Sequence, residues 1–268
     1  MNNYQHGRLF EPGMTEIVEA SILNISTAFF RDKVMINKDA GHITAIIMQA
    51  EDVVYALEKY NGKLLNISRN GIAAMFENNC NDALQFSITL CQDAGLVERK
   101  ELFRGLSIGI DYGTLCICKV GSMDLNMPLL MSETIDTTVK LSENAQKYNS
   151  RILITSDAVS RLSGVSKNYN IRRLGKIYHT ATDKSEEIFD VYDGDHADIK
   201  YSKMRSRLFF ETGVDLFLKG SYLEARSYFI EILKVDRNDA AAKQYVFRCD
   251  NCIAETAGEL EKQYLEIW

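Results

Sequence analysis

The chain has 268 residues, of which 46% are hydrophobic and 25% are charged, as is ordinary for a soluble protein of one large or two modest domains. The formal net charge of −6 excludes a broad nucleic-acid or anionic-membrane footprint, because a polyphosphate backbone is bound by clustered Lys and Arg. No run approaches the roughly 18 apolar residues that a membrane span needs, so we expect no membrane segment in this chain.

The six cysteines do not have the regular spacing of a disulfide framework, and no secretory leader is recognisable in the sequence. We therefore expect free thiols and a cytoplasmic location. Cys249 and Cys252 form a CxxC pair. We favour helix packing over zinc binding for this pair, because neither a second pair nor a nearby His accompanies it.

The first third of the chain alternates between strand and helix patterns. Residues 1–16 are predicted to be an irregular lead-in, 17–26 a strand, and 27–31 a loop that turns into a helix. From Ile43 to Leu57 the apolar residues recur at helical spacing, which predicts an amphipathic helix that covers a sheet and stops at Asn61-Gly62.

The stretch Gly62–Phe76 predicts a β-hairpin, because two short apolar runs flank Asn70-Gly71 and this dipeptide favours a primed two-residue turn. A generic hairpin in an unrelated α+β protein is the alternative for this stretch alone.

The elements after the hairpin are predicted as three helices and five strands. The helices are Asn81–Ala94, Glu133–Tyr148 and Ser156–Leu162, the last capped by Ser156, and the strands are 105–113, 115–121, Arg151–Thr155, Tyr169–Leu174 and Glu187–Tyr192. The order β-α-β-β-α-β with additions predicts an α+β fold, a ferredoxin-like antiparallel sheet with helices on one face.

The hairpin resembles, position by position, the central hairpin of the class III adenylate/guanylate cyclases, whose pattern is G-T-V-D-K-F-I-G-D-G-I-M-A-V-F. The residues that match are Gly62, Gly71, Ile72, Ala74 and Phe76, and the segments Ile108–Gly113, Val120–Ser122, Arg151–Thr155 and Arg173–Lys176 are similar to later parts of the family. The resemblance implies a cyclase-like domain over residues 17–195 that forms a homodimer, since the sites of this family lie at a dimer interface.

The family holds two divalent ions with two carboxylates, and the resemblance places neither carboxylate in this chain. Asn70 stands at one metal-binding Asp, and Ser26, or Ile25 after a one-residue shift, stands at the other. Because Mg²⁺ prefers anionic oxygen ligands, we expect two-metal catalysis to be lost. The acids that could replace the missing metal ligands are Asp111, Asp124 and Glu133.

The positions that bind the nucleotide in the family are also altered. Asn66 stands at the purine-reading Lys, Leu129 at the purine-selecting residue, Asp136 at the ribose-orienting Asn and Lys140 at the Arg that steadies the transition state. Lys keeps the charge of Arg but not its planar fork. A surface ion pair is the alternative for Asp136 and Lys140, and the triphosphate-binding Lys corresponds to about Thr180 or Thr182.

The loop after the first strand is the remaining candidate for a phosphate site. Its backbone N–H groups from Thr27 to Phe30, together with Arg31 and Lys33, would cradle phosphate at a helix start. An ordinary solvated turn is the favoured alternative.

Residues 200–268 form a helical tail that resembles a tetratricopeptide repeat. The pattern runs from Phe209 to Ile232, a second unit begins over Ala240–Cys252, Arg237 replaces the expected Pro, and Glu259–Trp268 is predicted as a terminal helix. Because one repeat cannot bury its apolar face alone, the tail is expected to pack on the domain, on a symmetry mate or on neighbouring repeats that are missing here. We favour a capping helical hairpin without a ligand over a surface that docks a protein partner.

The sequence therefore predicts a catalytically degenerate cyclase homology domain that acts as a dimeric regulatory or scaffolding module, with weak nucleotide binding and no cofactor. The alternative is an active cyclase with a non-standard site, which would require Mg²⁺ or Mn²⁺. In a third interpretation the tail is the functional part and the domain is a dimerisation platform.

Overall fold

The computed structural model describes residues 15–31, 40–77, 80–95, 101–122, 125–179 and 183–254. Several predicted features lie outside these residues, namely most of the lead-in, Lys33, Asp124, Thr180, Thr182 and the terminal helix Glu259–Trp268. Within the described ranges, no helix has the length and apolar character needed to cross a bilayer.

Eight strands of the described residues form one sheet with the order β2-β3-β1-β4-β6-β8-β7, and β5 pairs with the far end of β4. All neighbours are antiparallel except β4 and β6, which are parallel. The strands are β1 Thr15–Ser26, β2 Lys63–Ser68, β3 Gly71–Glu77, β4 Ser107–Ser122, β5 Leu125–Met131, β6 Ile152–Thr155, β7 Ile171–His179 and β8 Lys184–Val191.

The helices fall into a set within the sheet domain and a set in the tail. They are α1 Ala28–Arg31, α2 Ala40–Lys59, α3 Cys80–Asp93, α4 Glu133–Asn144 continued by the 3-10 turn Ala145–Tyr148, α5 Ser156–Ser160, α6 Val165–Asn168, α7 Ala197–Leu218, α8 Tyr222–Val235 and α9 Ala240–Ala254. The predicted α+β class is confirmed.

Helices cover both faces of the sheet, so the prediction of helices on one face is wrong. Successive residues of a strand point to opposite faces. In β6, Ile152 and Ile154 pack in the core under α2 and α3, whereas Leu153 packs in a second core with α4 and the tail. α4 and the tail together supply the second layer, which strand periodicity alone does not reveal.

The predicted strand pair over 105–121 is instead the single long strand β4, because Gly113 continues the pairing with β1 opposite Ala20. A Cβ on Gly113 would collide with Thr134 of α4, and one on Gly109 would collide with the carbonyl of Thr138. These glycines therefore seat α4 on the sheet rather than forming a turn.

The predicted hairpin is confirmed, with a different turn. Arg69 and Asn70 connect β2 to β3, and the positive φ, 128°, falls on Gly71 rather than on Asn70. The helix stop at Asn61 is confirmed by its φ of 57°. The cap of α5 is Thr155 rather than Ser156, because the Thr155 side chain accepts from the Ala158 N–H.

The tail packs on the sheet domain, as one of the predicted arrangements requires. Tyr245 of α9 donates a hydrogen bond to the carbonyl oxygen of Leu174 in β7 at 2.7 Å. The fully buried Arg172 pairs with Asp190 of β8 and with Asp239 before α9, each at 2.9 Å. The first helix of the tail begins at Ala197 rather than at residue 200, and the likeness to a tetratricopeptide repeat stays a prediction.

Candidate functional site

The end of β1, where the resemblance places a metal-binding carboxylate, is occupied by a serine and an arginine. Ser26 is 1% exposed. Arg31, one turn further on in α1, donates hydrogen bonds to the hydroxyl oxygens of Ser26 at 3.2 Å and Ser107 at 2.9 Å, and to the carbonyl of Gly105. A positively charged group therefore contacts the residue at which the resemblance predicts an anionic ligand.

The side chain that reaches the hairpin turn is that of Asn24, two residues before Ser26 on the same face of β1. Its amide nitrogen donates to the carbonyl oxygen of Asn70 at 3.1 Å and to the hydroxyl of Ser142 at 2.8 Å. Asn24 is 2% exposed. The sequence analysis did not single out Asn24. It could have been found as a polar side chain within an otherwise apolar strand, because a buried polar side chain needs hydrogen-bond partners.

These contacts join into one polar network that includes the Arg31 guanidinium. Ser107 donates to the carbonyl oxygen of Ser142 at 2.7 Å, which connects the β4 side of the network to α4. Ser142 in turn donates to the carbonyl oxygen of Val139 at 2.8 Å. The hydrogen bonds fix the orientation of the neutral side chains in this network. Among these contacts, Arg31 is the only charged side chain.

The predicted phosphate cradle is engaged by the protein itself. The N–H of Ala28 donates to the carbonyl oxygen of Arg104 at 2.8 Å, and the hydroxyl of Thr27 donates to the Gln49 side chain at 3.0 Å. Phe30 is 6% exposed and packs in the main core. Since Arg31 is turned toward Ser26, the structure does not assemble these residues into an open anion site.

The remaining nucleotide positions are distributed over the sheet and α4. Asn66 lies exposed at a bulge in the edge strand β2, whereas Leu129 on β5 is 48% exposed, and three strands separate β2 from β5. Asp136 is exposed and Lys140 is half-buried, both on α4. Within one chain the structure does not bring Asn66 and Leu129 together.

A polar cleft of about 620 Å³ lies between β4, β8 and the starts of α4 and α5, and Asp111 and Glu133 both line it. Asp111 accepts hydrogen bonds from the Thr155 hydroxyl at 2.6 Å and the Tyr112 N–H at 2.8 Å. Burial raises the pKa of Asp111 to about 7. Over the described ranges, no group of three or more His, Cys, Asp or Glu side chains is arranged to hold a metal ion.

Comparison with known proteins confirms the resemblance to nucleotide cyclases. The chain is 26% identical over 142 residues to the "Adenylate cyclase, terminal-differentiation specific" of Dictyostelium discoideum. The aligned residues make up 53% of this chain and 7% of that relative's length. No protein-family profile matches the chain.

Solved structures show that the fold is that of class III cyclase domains. A bacterial light-regulated adenylyl cyclase has a TM-score of 0.57 at 12% identity over 69% of this chain and 54% of its own. The adenylyl cyclase CyaB from P. aeruginosa has a TM-score of 0.53 at 12% identity, over 67% of this chain and 96% of its own. The guanylyl cyclase Cya2 has a TM-score of 0.51 at 16% identity, over 66% of this chain and 93% of its own.

Proposed function

We propose that this chain, which has the fold of the class III nucleotide cyclases, is a catalytically degenerate cyclase homology domain that acts as a regulatory or scaffolding module in cyclic-nucleotide signalling. The observation that carries the proposal is the contact of Arg31 with Ser26 at the end of β1. Asn24, two residues before Ser26, donates to the backbone carbonyl oxygen of Asn70 at 3.1 Å, and neither residue is anionic.

The charge of Arg31 opposes metal binding at this position. A dication about 4 Å from a guanidinium is repelled by on the order of 8 kcal/mol at an effective dielectric constant of about 20. In an active two-metal site, carboxylates offset the dehydration of the ions and the ions activate the attacking oxygen. Ser26, Asn24 and Asn70 provide only neutral oxygens, so the chain is expected to bind nucleotide weakly and without metal dependence.

We expect the sheet domain to form a homodimer, which is the arrangement that the family resemblance implies. The predicted apolar stripe of α2 is covered only in its second half, since Val53 and Leu57 are buried while Ile43 and Ile47 are 53% and 51% exposed. The exposed half adds apolar surface to the domain. Light scattering on the purified chain would give the oligomeric state.

The six cysteines are all free, which supports a reducing compartment such as the cytoplasm.

The decisive experiment is an assay for cyclic product. The purified chain is incubated with ATP, GTP, CTP or UTP and Mg²⁺ or Mn²⁺, and cyclic nucleotide and pyrophosphate are measured by mass spectrometry beside an active cyclase domain. We expect no product above the blank.

The alternative function, a working cyclase with a non-standard site, makes the opposite prediction. Turnover by the wild-type chain that disappears in Asp136→Ala or Lys140→Ala would overturn the proposal, because a contaminating cyclase would not respond to these changes. Asp136 is exposed and Lys140 is half-buried, and neither belongs to a hydrophobic core, so the variants are expected to fold.

A further inference from the structure

Two cysteine thiols lie together on the sheet, far from Ser26, and a methionine on the neighbouring strand is the cross-strand partner of one of them. Cys116 and Cys118 both belong to β4, and their Sγ atoms are 3.7 Å apart. Each is paired with a residue of β1 on one side and of β5 on the other. The two rows are Ile17, Cys116 and Met131, and Thr15, Cys118 and Leu129.

These two rows are accessible to solvent. Ile17 is 69% exposed, Met131 is 51% exposed, and both cysteines are half-buried. The stretch of β1 from Ile17 to Ser26 spans about 30 Å in a strand. Within one chain, the rows therefore lie well apart from the degenerate site at the end of β1.

The separation of the two thiols fits ligation of one metal ion. Two sulfur atoms bound to one metal ion at about 2.3 Å lie about 3.8 Å apart at a tetrahedral angle and about 4.0 Å apart at a trigonal angle. The observed separation of 3.7 Å is close to both values. A disulfide fits less well, because residues two apart in a strand have Cα atoms about 6.7 Å apart, at the upper end of the roughly 4.4–6.8 Å that disulfides span.

The third sulfur comes from the neighbouring strand. Met131 is the direct cross-strand partner of Cys116, and its thioether is a soft ligand. Thiolate and thioether ligands favour monovalent copper, whereas a structural zinc ion takes four N, S or O ligands. The two rows contain two thiols, one thioether and the Thr15 hydroxyl, which lies 3.7 Å from the Cys118 Sγ, and this set favours copper.

We propose that Cys116, Cys118 and Met131 form a binding site for a monovalent copper ion. On binding, each thiol exchanges its proton for a bond to the metal, so two protons pass to solvent and the copper remains in the +1 state. The site is distinct from the proposed nucleotide-signalling role, although Leu129, at the purine-selecting position, borders it.

The test is an anaerobic titration of the fully reduced chain with Cu(I) in competition with the chelator bicinchoninate. We expect the wild-type chain to bind one ion. Cys116→Ser and Cys118→Ser should each weaken binding more than about 100-fold, which is a larger loss than the change of a residue that only contacts a ligand causes. Met131→Leu keeps the size of the side chain and is expected to weaken binding about 10-fold. Matched controls are Cys252→Ser on α9 and Met204→Leu on α7, which should leave the affinity unchanged.

Two results of the titration, and one of a spectroscopic measurement, would overturn the proposal. One is a copper affinity and stoichiometry that do not change in Cys116→Ser and Cys118→Ser while thermal melts show both variants folded. The other is a preference for Zn²⁺ over Cu(I) that Met131→Leu does not alter. X-ray absorption of the loaded wild-type chain should show sulfur as the only kind of first neighbour, and nitrogen or oxygen neighbours alone would also contradict the site.

Discussion

The guanidinium of Arg31 lies 3.2 Å from the hydroxyl oxygen of Ser26, at the end of the first strand. The contact places a fixed positive charge within the polar network that joins β1, β4 and α4. It connects the proposed loss of metal binding to the stability of the fold, because the same side chain also holds Ser107 and the loop before β4.

Replacing Arg31 by methionine should destabilise the chain. The substitution keeps an apolar stem but removes the hydrogen bonds to Ser26, Ser107 and Gly105. We expect the free energy of unfolding to fall by about 1–3 kcal/mol, the cost of leaving buried polar groups unpaired. Urea denaturation measures it. Arg69→Met in the exposed hairpin turn is the control and should change stability by less than about 0.5 kcal/mol; equal effects at both positions would contradict the role of the network.

The buried ion pair between Arg172 and Asp239 should matter more than any exposed pair of the tail. Both side chains are at most 3% exposed and are 2.9 Å apart. Asp239→Ala leaves a buried guanidinium without one of its two partners, so we expect a loss of about 3–5 kcal/mol in unfolding free energy.

The control for this prediction is Arg226→Ala, which removes the exposed pair with Asp250 on the same tail. An exposed pair contributes about 0–1 kcal/mol. Denaturant titration followed by circular dichroism compares the two variants, and a small effect at Asp239 would mean that the tail is not fixed to the sheet by this pair.

The glycine at position 109 should be required for the seating of α4. A Cβ there would collide with the Thr138 carbonyl and lie 2.7 Å from the Leu141 Cβ, so Gly109→Ala forces the helix away from β4. We expect a loss of at least about 1–3 kcal/mol, as in overpacked cores. Gly220→Ala is the comparison, because nothing lies within 4 Å of its Cβ position and only the φ of 79° is strained. It should cost about 1–2 kcal/mol with no change in the amide signals of α4.

The carboxyl of Asp111 should make stability depend on pH. Burial raises its pKa from 3.8 to about 7, and Glu186 acts in the same direction. Between these values the folded chain keeps a proton that the unfolded chain has released, so this group's contribution is full below about pH 4 and is lost as the pH rises through 7.

Asp111→Asn should remove this dependence while still accepting the hydrogen bond from Thr155. We therefore expect the variant to gain stability relative to the wild type as the pH rises from about 4 to 8. Urea midpoints across this range measure the difference. A difference that stays flat across this range would refute the assignment of the raised pKa to Asp111.

The sequence by itself determined the local elements of this protein. Periodicity and turn residues located β1, the helix that stops at Asn61 and the hairpin through Gly71, because each depends on backbone preferences of neighbouring residues. The same local patterns carried the resemblance to the cyclases, and they showed that neither Ser26 nor Asn70 is an acid.

Only the tertiary structure decided what surrounds those positions. Asn24 meets Ser142 from 118 residues away, and Arg31 meets Ser107 from 76 residues away. A two-residue alternation shows which side chains share a face of a strand, but not which helix returns to cover that face. The partners of buried polar groups, and the second helical layer on the sheet, follow from long-range packing that no local pattern encodes.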